Sequence, residues 1–210
     1  MELCARKLLM SGKSVAVTTT TKIYAKKPYR LINDELGLSK NSSFIRIGKS
    51  LANGKLTGLE FDEVERLGKL YDVVLVEADG AKGKPLKFPA SHEPVIPPFS
   101  EKIFVICGLD ALYGKIEDNV FRWELFHEAT GIKGSNIITP QVLMRLLSAD
   151  AMLKDVDIKR CSVILNKYDM LKNRCTVLDI VKETIETTGI PDVTISSALF
   201  DVFYKTDKMH

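Results

Sequence analysis

The sequence predicts an α/β domain built on a mostly parallel sheet, and three observations lead to this fold class. Apolar runs without alternation at residues 73–76, 103–107 and 161–165 are typical of strands buried on both faces, usually in a parallel sheet. Stretches with the spacing of amphipathic helices lie between them, and strands that alternate with helices form α/β domains. Polar residues follow these strands directly, at the edge where ligands bind in open α/β sheets.

Length and composition narrow the class of protein further. A chain of 210 residues fits one domain, and 45% hydrophobic with 27% charged residues is ordinary for a soluble globular protein. The net charge of +3 is too small to indicate a nucleic-acid partner. No run is long enough for a membrane span, and the first residues are too short and too charged for a secretory signal. Because the four cysteines are widely spaced, we expect reduced thiols in a cytoplasmic protein rather than a zinc site or disulfides.

The first residues predict a helix followed by a strand. Residues 1–10 place apolar side chains on one face, and Gly12 would end this helix. Residues 15–17 then begin a strand that runs into Thr18-Thr19-Thr20-Thr21, so hydroxyl groups stand at its end. A threonine at this place can ligate Mg²⁺ or a phosphate, although threonines are also good strand formers.

The stretch up to the next apolar strand predicts three elements. Residues 24–43 are polar and irregular, with one short helix expected near residues 32–36. Residues 43–47 alternate and end at a glycine, which predicts an edge strand. Residues 61–70 have the apolar spacing of a helix and lead into the strand at residues 73–76.

That strand ends in Glu77-Ala78-Asp79-Gly80, so two carboxylates lie where the strand leaves the core. Carboxylates beside a glycine that lets the backbone approach a ligand suit a Mg²⁺-nucleotide site. The alternative is an acidic strand end that faces solvent. The following loop carries His92-Glu93 and is stiffened by five of the eight prolines, namely Pro85, Pro89, Pro94, Pro97 and Pro98.

The second half of the chain continues the alternation of strands and helices. The strand at residues 103–107 ends in Gly108-Leu109-Asp110, and residues 119–130 predict a helix that carries Arg122 and His127. Thr139 followed by Pro140 is a good helix start, because the hydroxyl caps and proline suits the first turn. Two further helices and a last strand are expected at residues 140–148, 176–188 and 193–195.

The sharpest signal follows the strand at residues 161–165, which ends in Asn166-Lys167-Tyr168-Asp169. In GTP-binding proteins such a turn sets the Asp carboxylate against two N–H donors of guanine, while the Lys stem covers the base and the Asn braces neighbouring loops. Adenine lacks this donor pair, so the Asp selects guanine. About thirty residues later Ser197-Ala198 follows another strand, as in the loop that brings a backbone N–H to guanine O6. The alternative is an ordinary polar turn between strand and helix.

Several segments together resemble the YqeC-like family over nearly the whole chain: TTTTK, VEADGAKGKPLKFPASHEPVIP, GLDALYGK, VFRWE and LNKYD. The segment from Glu77 to Pro97 is the most specific of them. The family is similar to P-loop NTPases of the GTPase-related group, which implies a three-layer αβα domain. It also implies an accessory role in making or inserting the selenium-containing cofactor of selenium-dependent molybdenum hydroxylases.

The motifs and the resemblance together give three sets of site residues. The metal ligands for Mg²⁺ would be Thr18, Thr19, Thr20 and Asp79. The catalytic residues would be Glu77, which polarises water, and Asp79. The cofactor-binding residues would be Asn166, Lys167, Asp169, Ser197, Ala198, Lys82, Lys84, His92 and Arg122. The implied ligands are Mg²⁺ and a nucleoside triphosphate, with GTP favoured over ATP. Alternatively, the basic loop residues are solvated and His92 is a structural hydrogen-bonding residue.

The chain departs from the family pattern at its start. The family begins with a strand and a glycine-rich Gly-x-Gly-Gly-Lys-Thr-Thr-Leu-Met loop, and Met1 corresponds to the last residue of that loop. Gly12-Lys13-Ser14 is no substitute, because it closes a helix, opens a strand and lacks the earlier glycine of a phosphate loop. We therefore expect residues 1–210 to be a single domain without its first, Walker A strand, with the true start upstream. This chain alone should not hydrolyse nucleotide.

The leading functional hypothesis is a nucleotide-dependent maturation factor whose partner is the molybdenum hydroxylase or its molybdopterin cofactor, with GTP or ATP hydrolysis by the longer form. A non-hydrolytic module that binds cofactor or client is the alternative, and a small-molecule kinase is a third possibility. Neither nucleic acid nor a membrane is an expected partner. These hypotheses depend on one geometric condition, that the strand ends gather Thr20, Asp79 and Asp169 around one cleft.

Overall fold

The computed structural model describes residues 1–33, 42–171 and 174–206. They form two compact units: unit 1 comprises Met1–Gly80 and Val95–Ser100, and unit 2 comprises Ala81–Pro94 and Glu101–His210. Helices combine with mostly parallel strands in the described residues, which confirms the predicted α/β class. The expectation of a single domain stays a prediction, and each unit is described by itself.

The elements of unit 1 in chain order are α1 (Glu2–Met10), β1 (Val15–Thr19), β2 (Lys22–Tyr24), β3 (Tyr29–Leu31), β4 (Phe44–Gly48), β5 (Leu51–Ala52), β6 (Lys55–Thr57), α2 (Phe61–Gly68) and β7 (Val73–Glu77). The strands form a parallel sheet with the order β3-β4-β1-β7 and a small antiparallel sheet with the order β2-β6-β5.

Helices cover both faces of the parallel sheet of unit 1. On one face Ala5 of α1 packs against Val15 and Val17 of β1. On the other face Val64 and Leu67 of α2 pack against β1 and β4. This arrangement follows from the apolar residues of β1, which point alternately to the two faces and are buried on both.

Three expectations for unit 1 were wrong. β4 is an interior strand rather than an edge strand, because β3 pairs with it in parallel. Residues 24–43 are not irregular throughout, since they contain β3. β7 is half-buried along its whole length instead of buried on both faces, because it is the last strand in the described sheet. Most of the helix expected near residues 32–36 lies outside the described residues.

The elements of unit 2 in chain order are β8 (Leu86–Lys87), β9 (Ile103–Gly108), α3 (Ile116–Asn119), β10 (Val120–Phe121), α4 (Trp123–Thr130), α5 (Pro140–Leu146), β11 (Cys161–Asn166), α6 (Val177–Thr188), β12 (Val193–Ser197) and β13 (Val202–Lys205). The main sheet has the order β13-β12-β11-β9, in which β9, β11 and β12 run parallel and β13 antiparallel. β8 and β10 form a short parallel pair.

Local sequence signals explain where the long helices of unit 2 begin and end. The Thr139 hydroxyl accepts a hydrogen bond from the Val142 amide at 3.3 Å, and Pro140 occupies the first helical position of α5. Gly189 ends α6 with a φ of 69°, a left-handed conformation that glycine adopts without penalty. Both boundaries agree with the sequence prediction.

Three expectations for unit 2 were wrong. The strand expected at residues 193–195 is not the last one, because β13 follows it and pairs with β12. The helix predicted over residues 119–130 begins only at Trp123, because Val120 and Phe121 pair with β8 and Arg122 has a left-handed backbone with a φ of 60°. β9 is buried on one face only, since Phe104 and Ile106 are about half exposed (53% and 52%). No helix in the described ranges is long and apolar enough to cross a membrane.

Candidate functional site

The threonines at the end of β1 differ in whether their hydroxyls are accessible to a ligand. Thr18 and Thr19 are fully buried, and their hydroxyls donate to the carbonyls of Ile47 at 2.7 Å and Glu77 at 2.8 Å. Thr20 is half-buried, donates to the Val95 carbonyl at 2.6 Å and lines a cleft beside the start of α2. Of these hydroxyls, that of Thr20 is therefore the accessible one.

Glu77 and Asp79 lie at the corresponding end of β7. Thr19 is opposite Glu77 in the parallel register, and the Thr20 amide donates to the Glu77 carbonyl at 3.1 Å. Both acidic residues are half-buried. Unit 1 thus brings the predicted threonines and the two carboxylates to the same end of neighbouring strands.

The predicted base-binding turn follows β11 in unit 2. The Asn166 side-chain oxygen accepts hydrogen bonds from the Ser196 hydroxyl at 3.0 Å and from the Ala198 amide at 3.1 Å. Ser197 is buried, and its hydroxyl has no hydrogen-bond partner among the described residues. The structure therefore places the Asn-Lys-x-Asp turn against the Ser-Ala segment that the sequence paired with it.

The remaining residues of this turn are held by neighbouring side chains. The Lys167 ammonium donates to the Asp110 carboxylate at 2.7 Å, and Lys167 has a left-handed backbone with a φ of 60°. Asp169 is half-buried in a 3₁₀ turn, and its backbone carbonyl accepts from Arg174 at 3.3 Å. The prediction that Thr20 and Asp79 share one cleft with Asp169 stays a prediction.

A second group of polar residues in unit 2 surrounds the ring of Phe121, and we call it the Phe121 cluster. Its members are Phe121, Lys82, Lys87, Arg122 and Glu93. Three cationic groups approach the ring centroid: the Lys82 ammonium at 5.0 Å, the Lys87 ammonium at 5.5 Å and the Arg122 guanidinium at 4.9 Å. Such cation–π contacts stabilise positive charge, and here they gather three charges at one place.

Glu93 is the anion within the Phe121 cluster. Its buried carboxylate accepts from the Lys87 ammonium at 2.7 Å, from Arg122 and from the Ala90 amide. Burial alone would raise the pKa of Glu93, but these hydrogen bonds outweigh burial and lower the pKa to about 2. Glu93 therefore stays ionised at neutral pH and remains the common acceptor for Lys87 and Arg122.

The other predicted loop residues lie apart from the Phe121 ring. The Lys84 ammonium donates to the Glu117 carbonyl at 2.6 Å, so it fixes the loop to α3. His92 is 71% exposed, and its ring lies 3.9 Å from the Glu93 carboxylate. Lys154 donates to three backbone carbonyls of residues 90–93 and holds this turn in place.

Sequence reasoning did not assign roles to Asp110, Phe121 or Glu93. Asp110 gave a usable signal, because it follows a buried strand at the same end as Asn166. Phe121 gave none, since it lay within a predicted helix. Among the described residues, no group of three or more His, Cys, Asp or Glu is placed to hold a metal ion.

Cys107 and Cys161 are free cysteines that are buried in the core of unit 2. Cys107 and Cys161 are at most 3% exposed, and burial raises their pKa values to about 12 and about 11. Both thiols are therefore protonated at neutral pH, and a protonated thiol is a poor nucleophile. Cys4 is exposed on α1.

The fold is that of a mixed α/β protein with mostly parallel strands and polar residues at the strand ends. The chain belongs to the YqeC protein family, whose model matches residues 1–124. A relative described as "Uncharacterized protein YqeC" of Escherichia coli (strain K12) is 31% identical over 163 residues. This match covers 71% of the chain and 60% of the relative, so it spans less than two thirds of the relative's length. No solved structure matches the chain.

Proposed function

We propose that this protein is a guanine-nucleotide-dependent accessory factor that helps to make or insert the selenium- and molybdenum-containing cofactor of a molybdenum hydroxylase in the cytoplasm. The observation that carries the nucleotide part is the pair of hydrogen bonds from Ser196 and Ala198 to Asn166. The hydroxylase and its molybdopterin cofactor are proposed as partners because of the resemblance to the YqeC-like family.

In this proposal the base contacts come from unit 2. The Asp169 carboxylate would accept from the N1–H and N2–H groups of guanine, which adenine lacks. The Lys167 stem would cover the base face, and the exposed Ala198 segment would present a backbone amide to O6. The Ser197 hydroxyl, which is buried without a partner among the described residues, adds polarity to the same place.

The residues proposed for the phosphates and Mg²⁺ are in unit 1. Thr18 and Thr19 do not fit a metal ion well, because they are fully buried, whereas Thr20 is half-buried. We therefore propose Thr20 and Asp79 as the residues that would hold Mg²⁺, with Glu77 orienting water. The ion would neutralise phosphate charge when bound.

We also propose that β7 accepts one further strand, as in P-loop NTPases with a Walker A strand. Its residues Val73 to Val76 are apolar without alternation, yet all of them are half-buried. A strand of that composition is normally covered on both faces and paired on both edges. In P-loop NTPases such a strand leads into the phosphate-binding loop.

Titration of GTP, GDP and ATP tests the proposal directly. Isothermal calorimetry with Mg²⁺ should be done on this chain and on a longer form that carries an added Walker A strand and phosphate-binding loop. Tight, Mg²⁺-dependent binding that favours guanine nucleotides in the longer form supports the accessory factor. Absence of binding by either form removes nucleotide dependence.

The Phe121 cluster favours a second candidate, a non-hydrolytic module that binds a phosphorylated cofactor. Its three cationic groups include an arginine fork and lysine point charges, which together suit a phosphoryl group. We expect Arg122→Ala to weaken binding of a phosphomonoester about tenfold, measured by ³¹P NMR titration, while exposed Lys133→Ala serves as the matched control. Equal effects of the two variants would count against this site.

A further inference from the structure

We propose that Asp110 is the positioning residue for Lys167 in the base site, an inference that rests on the proposed guanine-nucleotide function. The Asp110 carboxylate accepts from the Lys167 ammonium at 2.7 Å across 57 residues of chain. The side chain of Asp110 is 20% exposed and that of Lys167 is 42% exposed, so the pair lies at the edge of the core.

Register explains why these two residues meet. β9 and β11 are parallel neighbours, and Gly108 is opposite Asn166 at their carboxyl ends. The turn that begins at Gly108 therefore lies beside the turn that begins at Asn166. On the other side of β11, Asn166 accepts from Ser196 and Ala198. The Asn-Lys-x-Asp turn is thus held from both neighbouring strands, through Lys167 on one side and Asn166 on the other.

Stability does not account for the Asp110–Lys167 pair. One carboxylate oxygen of Asp110 is buried without a hydrogen-bond partner among the described residues, which costs more free energy than a half-exposed ion pair contributes. Lys167 also has a left-handed backbone, which is unfavourable for a residue with a side chain. Unfavourable features that accumulate at one place are typical of functional sites.

Gly108 makes the position of Asp110 possible. A Cβ atom at residue 108 would lie 2.5 Å from a carboxylate oxygen of Asp110 and 2.6 Å from the Cβ atom of Pro85. Any larger residue would therefore displace Asp110 or the loop at Pro85. The glycine, the aspartate and the lysine form one unit whose effect is to fix the Lys167 ammonium.

A fixed ammonium reduces the entropy cost of binding a base. The lysine side chain has four rotatable bonds, and ordering it on a ligand normally lowers affinity. Asp110 holds the free end of this side chain before the ligand arrives, so the stem is already ordered. Asp110 itself does not touch the base.

A double-mutant cycle tests this role. Asp110→Asn keeps the shape of the side chain but removes its charge, so the fold is preserved. We compare the dissociation constant of GDP for the wild type, Asp110→Asn, Lys167→Ala and the double variant, using the longer form if tight binding requires it. Exposed Asp118→Ala, in the same segment, is the matched control.

The inference predicts that Asp110→Asn weakens GDP binding about fivefold to tenfold when Lys167 is present and has no further effect in the Lys167→Ala background. The melting temperature should stay within about 2 °C of the wild type. Independent, multiplying effects overturn the inference, as does an unchanged dissociation constant in Asp110→Asn. Absence of GDP binding by the wild type removes the proposed function itself, which is a different result.

Discussion

At the scale of single residues, Asp169 is the residue on which base selection depends. A carboxylate offers two acceptors to the two N–H donors of guanine, whereas an amide offers one acceptor and one donor. Xanthine carries a donor at N1 and an acceptor at position 2, so it matches an amide. We expect Asp169→Asn to weaken GDP binding at least tenfold, about 1.4 kcal/mol, and to improve binding of xanthosine diphosphate. Calorimetry with both nucleotides measures this change in base preference.

An unchanged preference in Asp169→Asn would contradict the base-site assignment. Exposed Asp118→Asn, in a different segment of unit 2, is the matched control and should leave both dissociation constants unaltered.

Glu93 determines how the stability of unit 2 depends on pH. Its folded-state pKa of about 2 is below the ordinary value of 4.5, so its stabilising effect is fully present above about pH 4.5. The effect is lost as pH falls through about 2. We expect Glu93→Gln to lower the free energy of unfolding by about 3 kcal/mol at pH 7, because Lys87 and Arg122 would both lose the buried carboxylate to which they donate. Urea denaturation at several pH values measures the difference.

The difference between wild type and Glu93→Gln should narrow as pH falls from 4.5 toward 2. A constant difference over that range would show that packing, rather than charge, is responsible. Exposed Glu124→Gln is the control, and its unfolding curve should match that of the wild type.

At the scale of elements, two glycines near the ends of β1 and α2, Gly58 and Gly68, differ in whether the surrounding structure leaves space for a side chain. A Cβ atom at Gly58 would lie 2.5 Å from the Thr20 carbonyl, which is backbone and cannot move easily. A Cβ atom at Gly68, the last residue of α2, would meet nothing within 4 Å. We expect Gly58→Ala to destabilise the protein by about 1–3 kcal/mol and Gly68→Ala to stabilise it by up to about 1 kcal/mol. Thermal and urea unfolding of the two variants measure whether each substitution lowers or raises the free energy of unfolding.

Equal effects of the two alanines would mean that the backbone near Thr20 yields easily. In that case the close approach of residue 58 would not hold the end of β1 where Thr20 lines its cleft.

The elements that the sequence predicted well are those whose signal is local. α6 could be placed because its apolar spacing and its final glycine are contained in one stretch of chain. β3 and β13 were not predicted, because each forms a strand by pairing with another strand, β4 and β12 respectively, and a local sequence pattern does not show such pairing. The predicted start of α4 lies too early in the chain, because nothing in the local pattern shows that Val120 and Phe121 pair with β8.

At the scale of the whole molecule, site residues could also be predicted where their signal is local and were missed where it depends on contacts between distant parts of the chain. Asn166 and Ala198 were paired from their motifs, and the structure joins them by a hydrogen bond. Asp110 was not assigned, because its contact with Lys167 depends on the register of β9 against β11. The burial of Glu93 with Lys87 likewise depends on how the proline-rich loop packs, which no short pattern encodes.

Nucleotide binding should also appear in the stability of the molecule as a whole. A ligand that binds only the folded state at about 100 times its dissociation constant stabilises it by about 2.7 kcal/mol. For a chain of this size, that corresponds to an increase in melting temperature of roughly 5–10 °C. We expect GDP with Mg²⁺ to produce this shift in the longer form and ATP at the same concentration to produce much less, measured by differential scanning calorimetry. Asp169→Asn should reduce the shift with GDP to about half or less, because a tenfold weaker affinity leaves about 1.4 kcal/mol of stabilisation at the same concentration. Equal shifts with GDP and ATP would instead mean that the phosphates alone are recognised and that the turn after β11 has no part in choosing the base.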